Sequence, residues 1–174
     1  MSEETLQERG ICIVAGEASG DVQGSLIVSA LKKLIKTRFF ADSNIPANFF
    51  WGIAGPDLRH EGVDAIAPTE SIAVMGVSEI LKDYLQISST YKKIIHQIKI
   101  KKPLCVILID YPGFNLKLAK DVYALNIPVI YHIPPKVWSH GLKRIEALKK
   151  YTQLITSILP FEESFFKKFY RKTL

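Results

Sequence analysis

Two short acidic stretches carry the residues best suited to chemistry: Gly16-Glu17-Ala18-Ser19-Gly20-Asp21 and Asp110-Tyr111-Pro112-Gly113-Phe114-Asn115. Each follows an apolar, β-branched run, residues 11–15 in the first case and 104–109 in the second. A carboxylate at the mouth of a buried strand is partly withdrawn from water, which raises its pKa and makes it a better base. Asp110 is therefore a candidate proton acceptor. Glu17 suits neither a helix cap nor a helix surface and is the second candidate. Ser19 and Asp21 either cap the helix that follows or reach a ligand, and Asn115 likewise caps or binds. Gly16, Gly20 and Gly24 are spaced by four. That is not the G-x-G-x-x-G of a dinucleotide site, and the lysine of a phosphate-cradling loop is missing. Glu17 would also stand where a cofactor pyrophosphate needs room.

Other residues carry weaker signals. His132 ends the apolar run 127–133, on the side of a sheet where ligands bind, and is a candidate contact. His60, His132 and His140 do not show metal-ligand spacing, so no metal site is expected. Cys12 and Cys105 lie inside apolar runs and read as small core residues rather than a disulfide or zinc pair. The stretch Ser71-Ile72-Ala73-Val74-Met75-Gly76-Val77 leads into Ile80, Leu81, Tyr84 and Leu85, an apolar arc wider than one buried helix face needs. It either packs in the core or offers Val74, Met75 and their neighbours to acyl chains or a bilayer. Lys136, Lys143 and Arg144 follow Pro134-Pro135 and either form a solvated helix face or meet phosphate.

The elements that must hold these residues alternate regularly. Strands are predicted at 11–15, 49–54, 64–67, 104–109, 127–133 and 154–159. Helices are predicted at 25–37, 57–60, 78–101, 114–125, 137–150 and 161–170. Fully apolar strands alternating with helices predict an α/β fold, a doubly wound, mainly parallel, Rossmann-like sheet. With the common strand order 3-2-1-4-5-6, the order reverses between the first and fourth strands, and both acidic loops leave the sheet there. One domain is expected over 11–174, after a polar tail at 1–10.

The 174 residues are 48% hydrophobic and 23% charged, which excludes global disorder, and the net charge of +6 favours an anionic partner. Because the basic residues are spread over several helices, with no recognisable nucleic-acid motif, no nucleic-acid partner is expected. No stretch approaches the roughly 18 to 20 apolar residues of a membrane helix, and the start of the chain does not read as a secretory signal. A soluble, cytoplasmic protein is expected.

With these pieces in place, the chain resembles the N-terminal half of the lipid-A-disaccharide synthases, bacterial glycosyltransferases built from two Rossmann-like domains in the GT-B fold. The matching segments are Val14-Ala15-Gly16-Glu17-Ala18-Ser19-Gly20-Asp21, Gly52-Ile53-Ala54-Gly55-Pro56 and Ala73-Val74-Met75-Gly76. After them come Ile109-Asp110 with Pro112, Phe114 and Asn115, then Pro135 with Val137-Trp138, Lys143-Arg144 and Leu159-Pro160-Phe161-Glu162. They occur in the family's order. Departures fall at Tyr111 and Gly113, and at Pro134-Pro135-Lys136-Val137-Trp138-Ser139-His140, where the family usually has Ser-Pro-Ser-Val-Trp-Ala-Trp.

The resemblance implies transfer of 2,3-diacylglucosamine from UDP-2,3-diacylglucosamine to 2,3-diacylglucosamine 1-phosphate, with inversion, to give a β-1,6 disaccharide at the cytoplasmic surface of the inner membrane. In that scheme Asp110 is the base and Glu17 positions the acceptor or shares the proton. Ser19, Asp21 and Asn115 bind the sugar or hold the loops, with His132, Val74 and Met75 as further acceptor contacts. No metal or organic cofactor is implied, since the UDP-sugar is itself a substrate. Family members continue with a second domain that holds the UDP-sugar, so the expectation is a fragment, a split subunit completed by a C-terminal-domain chain, or a truncated gene product, with no transfer by these residues alone. Rival readings are a different GT-B sugar-nucleotide enzyme and a half-domain that binds lipid precursor or membrane without catalysis.

Overall fold

The computed structural model describes residues 9–39, 45–72, 80–136 and 142–168. Its strands are β1 (Ile11–Ala15), β2 (Phe50–Ala54), β3 (Asp64–Pro68), β4 (Val106–Ile109), β5 (Val129–His132) and β6 (Leu154–Thr156). Its helices are α1 (Ala18–Phe39), α2 (Pro56–His60), α3 (Ile80–Lys101), α4 (Pro112–Ala124), α5 (Leu142–Tyr151) and α6 (Pro160–Lys167), with a single 3-10 turn at Thr69–Ser71. The six strands form one sheet in the order β3-β2-β1-β4-β5-β6, every neighbouring pair parallel. This is the fold class and the strand order expected.

The apolar runs become central strands because both of their faces are buried. In β1, Ile13 and Ala15 pack beneath α1 and α2, with Val28, Leu58, Ile107 and Ile109. Cys12 and Val14 turn to the opposite face, against Ile94 and Ile98 of α3, Leu118 and Val122 of α4, Leu148 of α5 and Phe166 of α6. Each such side chain contributes roughly 1.5–3 kcal/mol by leaving water. The edge strand β3 is the exception, with Asp64 and Pro68 exposed and only Ala67 buried. Cys12 is fully buried as expected, and burial also holds the half-buried Cys105 thiol up at about 11.

The largest departure from expectation is at the start of α1, which begins seven residues before Ser25. Gly20 and Gly24, read as turn residues, lie within the helix, and at Gly24 the missing side chain lets the helix pack closely on its neighbours. A Cβ on Gly24 would come within 3.0 Å of both Ile109 and Leu58. The loop after β1 therefore shrinks to Gly16 and Glu17. At 78–79, 137–141 and 169–170 the expected helix ends lie outside the described residues. Among the described residues no helix is long and apolar enough to cross a membrane.

Candidate active site

β1 and β4 lie side by side with Ala15 opposite Ile109, so the chain leaves both strands at the same level of the sheet. Gly16 and Asp110 come next on each. The Tyr111 ring packs flat onto Gly16, so closely that a Cβ at 16 would overlap its atoms. Its hydroxyl donates to the Ile72 carbonyl at 2.7 Å. Burial raises the Tyr111 pKa, and the nearby negative charge of Glu17 raises it further. The two acidic loops thus share one corner of the molecule, at the carboxyl ends of the central strands.

Asp110 is held there by its backbone. Its N–H donates to the His132 carbonyl at 2.9 Å. Its own carbonyl accepts from Asn115 Nδ2 and from the Tyr131 hydroxyl, both at 2.8 Å. Asp110 and Tyr111 have φ of 49° and 45°, a left-handed conformation that costs a non-glycine residue roughly 1–2 kcal/mol. The three hydrogen bonds offset that strain and turn the half-buried side chain outward. Among the described residues, the Asp110 carboxylate makes no hydrogen bond or ion pair. The same is true of Glu17, whose carbonyl accepts the first bond of α1 from Asp21 at 3.0 Å. Glu17 thus occupies the helix-cap position that its residue type argued against, but its exposed side chain caps nothing.

The other expected site residues divide. Ser19 is exposed in the first turn of α1, one residue past Ala18. Asp21 is directed away from the opening. It is 1% exposed, and its carboxylate accepts the N–H groups of Gly55 at 2.7 Å, Asp57 at 2.8 Å and Leu58 at 3.3 Å. It caps α2 rather than its own helix, and Gly55 permits this because a side chain there would collide with the carboxylate. Asn115 is 0% exposed, and its amide holds the carbonyls of Ile109 (3.1 Å) and Asp110 (2.8 Å), so it positions the corner from within. The His132 ring turns sideways to Thr156, with Nδ1 at 2.8 Å from the hydroxyl, and burial lowers its pKa. Val74 and Met75 lie outside the described residues.

Two openings flank the corner. On one side Tyr84, Ile87, Tyr91, Tyr111, Phe114 and Lys117 line a cavity of ≈ 320 Å³ between α3 and α4. Lys117 sits 4.4 Å from the Tyr91 ring centroid, and the Tyr91 hydroxyl donates to Asp121 at 2.5 Å. Beyond this cavity Tyr84 and Leu85, the described end of the apolar arc, are 71% and 63% exposed. On the other side Asp110 and Pro112 form a wall of a second cavity, ≈ 380 Å³, completed by residues after β5 and β6 and by Arg144 of α5. The sequence pointed to Asp110 but not to Tyr111 as the pin between the loops. Spacing alone does not reveal that a ring at 111 covers a glycine at 16.

Comparison with known proteins gives the family and the fold. Residues 11–173 match the model of the family described as lipid-A-disaccharide synthetase. The chain is 34% identical over 158 residues to the lipid-A-disaccharide synthase of Koribacter versatilis, covering 91% of this chain and 39% of that protein. It is 35% identical to that of Nitrosococcus oceani, with 91% and 38% covered, and 36% identical to that of Trichlorobacter lovleyi, with 91% and 39% covered. The chain thus spans about two fifths of the length of the curated relatives it matches. Among solved structures, Acinetobacter baumannii MurG superposes with a TM-score of 0.52 at 12% identity, over 86% of this chain and 41% of MurG, which is a likeness of fold. The match over nearly every residue beyond the tenth, together with the identities to the relatives, places the chain in the lipid-A-disaccharide synthetase family.

Proposed function

We propose that this chain is the acceptor-side domain of a lipid-A-disaccharide synthase. It binds 2,3-diacylglucosamine 1-phosphate and activates the hydroxyl of that acceptor which attacks UDP-2,3-diacylglucosamine. The observation that carries the proposal is a pair of carboxylates, Glu17 and Asp110, without partners among the described residues, on adjoining strand ends at an open corner of the sheet. In an inverting transfer one bond forms as another breaks. The acceptor 6-hydroxyl gives its proton to Asp110, its oxygen attacks the anomeric carbon from the opposite side, and UDP leaves with the electron pair of the cleaved C–O bond. Glu17, beside Asp110, holds the acceptor hydroxyls in line. The apolar walls of the Tyr84–Tyr91–Phe114 cavity suit an acyl chain.

The sugar nucleotide is held by the second domain of the family, so transfer is assayed on a hybrid of residues 1–174 joined to that domain from one of the curated relatives. The expected product is the acylated disaccharide, formed with inversion. Asp110→Asn, which keeps shape and removes the base, is expected to lower kcat by at least about a hundredfold, the scale of a lost general base. Turnover within a few-fold of the parent would remove Asp110 from that role. Equal binding of deacylated and acylated glucosamine 1-phosphate would remove the lipid substrate.

A further inference from the structure

We propose that Arg144, with Lys136, forms a phosphate-binding subsite in the ≈ 380 Å³ cavity beside Asp110. This deepens the glycosyltransferase reading and rests on it. The cavity lies beyond the carboxyl ends of β4, β5 and β6, where open parallel sheets bind their ligands. Arg144 lies on α5, next to Lys143 in sequence. Lys136 and Arg144 are absent from the ion pairs formed among the described residues, which engage Lys32, Arg59, Lys101, Lys149 and Lys167.

Two carboxylates line the same cavity, and one of them, Glu162, feels the charge of Lys136. Glu162 is 4% exposed and folds back onto the N-terminus of its own helix, accepting the Leu159 N–H at 3.4 Å. Asp110 faces the same space as Arg144, since the two act on the Tyr131 hydroxyl with opposite sign, Asp110 raising its pKa and Arg144 lowering it. Ile133, Pro134, Pro135 and Ile158 supply apolar walls beside a guanidinium fork suited to phosphate oxygens.

The phosphate has two possible sources in this reaction, the 1-phosphate monoester of the acceptor and the diphosphate of the nucleotide. Titration of the ¹⁵N-labelled chain with glucosamine 1-phosphate, UDP and phosphate-free glucosamine, followed by NMR, separates them. Glucosamine 1-phosphate is expected to move the amide signals of Arg144, Lys136 and Leu159. Arg144→Gln is expected to weaken it at least about tenfold and Arg144→Lys less, since lysine keeps the charge but loses the fork. Lys149→Gln, on the same helix, is expected to leave it unchanged. Tighter binding of UDP at the same signals, equally sensitive to Arg144→Gln, assigns the subsite to the diphosphate instead. Binding of glucosamine as tight as its 1-phosphate overturns the subsite, as does an Arg144→Gln affinity within about twofold of the parent. Should Arg144→Gln fail to fold, Lys136→Gln is read in its place. Shifts confined to Gly16, Glu17 and Asp110 would remove the subsite and leave the acceptor-site reading standing, since the hybrid-enzyme assay of Asp110→Asn tests that separately.

Discussion

At the scale of single residues, the described side chains sort by what their polar atoms touch. Asp21 and Asp110 both lie in the two acidic stretches, yet one carboxylate accepts three backbone N–H groups and the other none among the described residues. Asp21→Ala should therefore unfold the α2 connection. A loss of roughly 2–4 kcal/mol in denaturant melts, with sugar-phosphate binding unchanged in the fraction that folds, would separate it from the site. A titration should distinguish His132 as well. Burial lowers its pKa below the ordinary 6.5, so the unfolded chain binds the proton more readily than the native one. Stability contributed by the neutral ring is present above about pH 6.5 and is lost as the pH falls below it. Melting temperatures measured from pH 7.5 down to 5 should decline less steeply in His132→Gln than in the parent.

Among elements, the decisive contact is between two loops rather than two strands. Tyr111 covers Gly16, and Asn115 and Tyr131 hold the left-handed turn that aims the ring. Gly16→Ala should push the loops apart and cost about 1–3 kcal/mol, the scale of overpacking. Tyr111→Ala alone should cost a comparable amount by opening a void. The double variant should be less destabilised than the sum of the two, by at least about 0.5 kcal/mol in a thermodynamic cycle. Strict additivity would mean that the two loops do not meet as described. The early start of α1 belongs to the same scale. Gly20 and Gly24 read as a turn by composition, but both lie within a helix, where Gly24 allows close packing on Ile109 and Leu58.

For the whole molecule, one parallel sheet gathers three surfaces around one corner: an aromatic cavity, two carboxylates and a cavity lined in part by Lys136 and Arg144. Their adjacency fits a substrate that is acylated, hydroxylated and phosphorylated. The exposed Tyr84 and Leu85, with the surplus of six positive charges, favour an anionic lipid surface. Sedimentation with vesicles should show binding that depends on anionic lipid and falls with added salt. The double variant Tyr84→Ser and Leu85→Ser should reduce it several-fold, and binding indifferent to both lipid charge and these residues would remove the membrane surface.

The sheet was legible because its causes are local and repetitive. An apolar run such as 104–109, buried on both faces, can hardly be anything but a central parallel strand, and its alternation with helices sets the order of the rest. Asp110 and Glu17 were legible as candidates because they interrupt such runs where strands end. What only the tertiary structure decided is which polar group meets which. Asp21 caps α2, 34 residues away at Gly55, and Arg144 faces Asp110 across a similar span. These are long-range pairings fixed by how helices dock on the sheet, and a hydrogen-bonded or vacant carboxylate looks the same in one dimension.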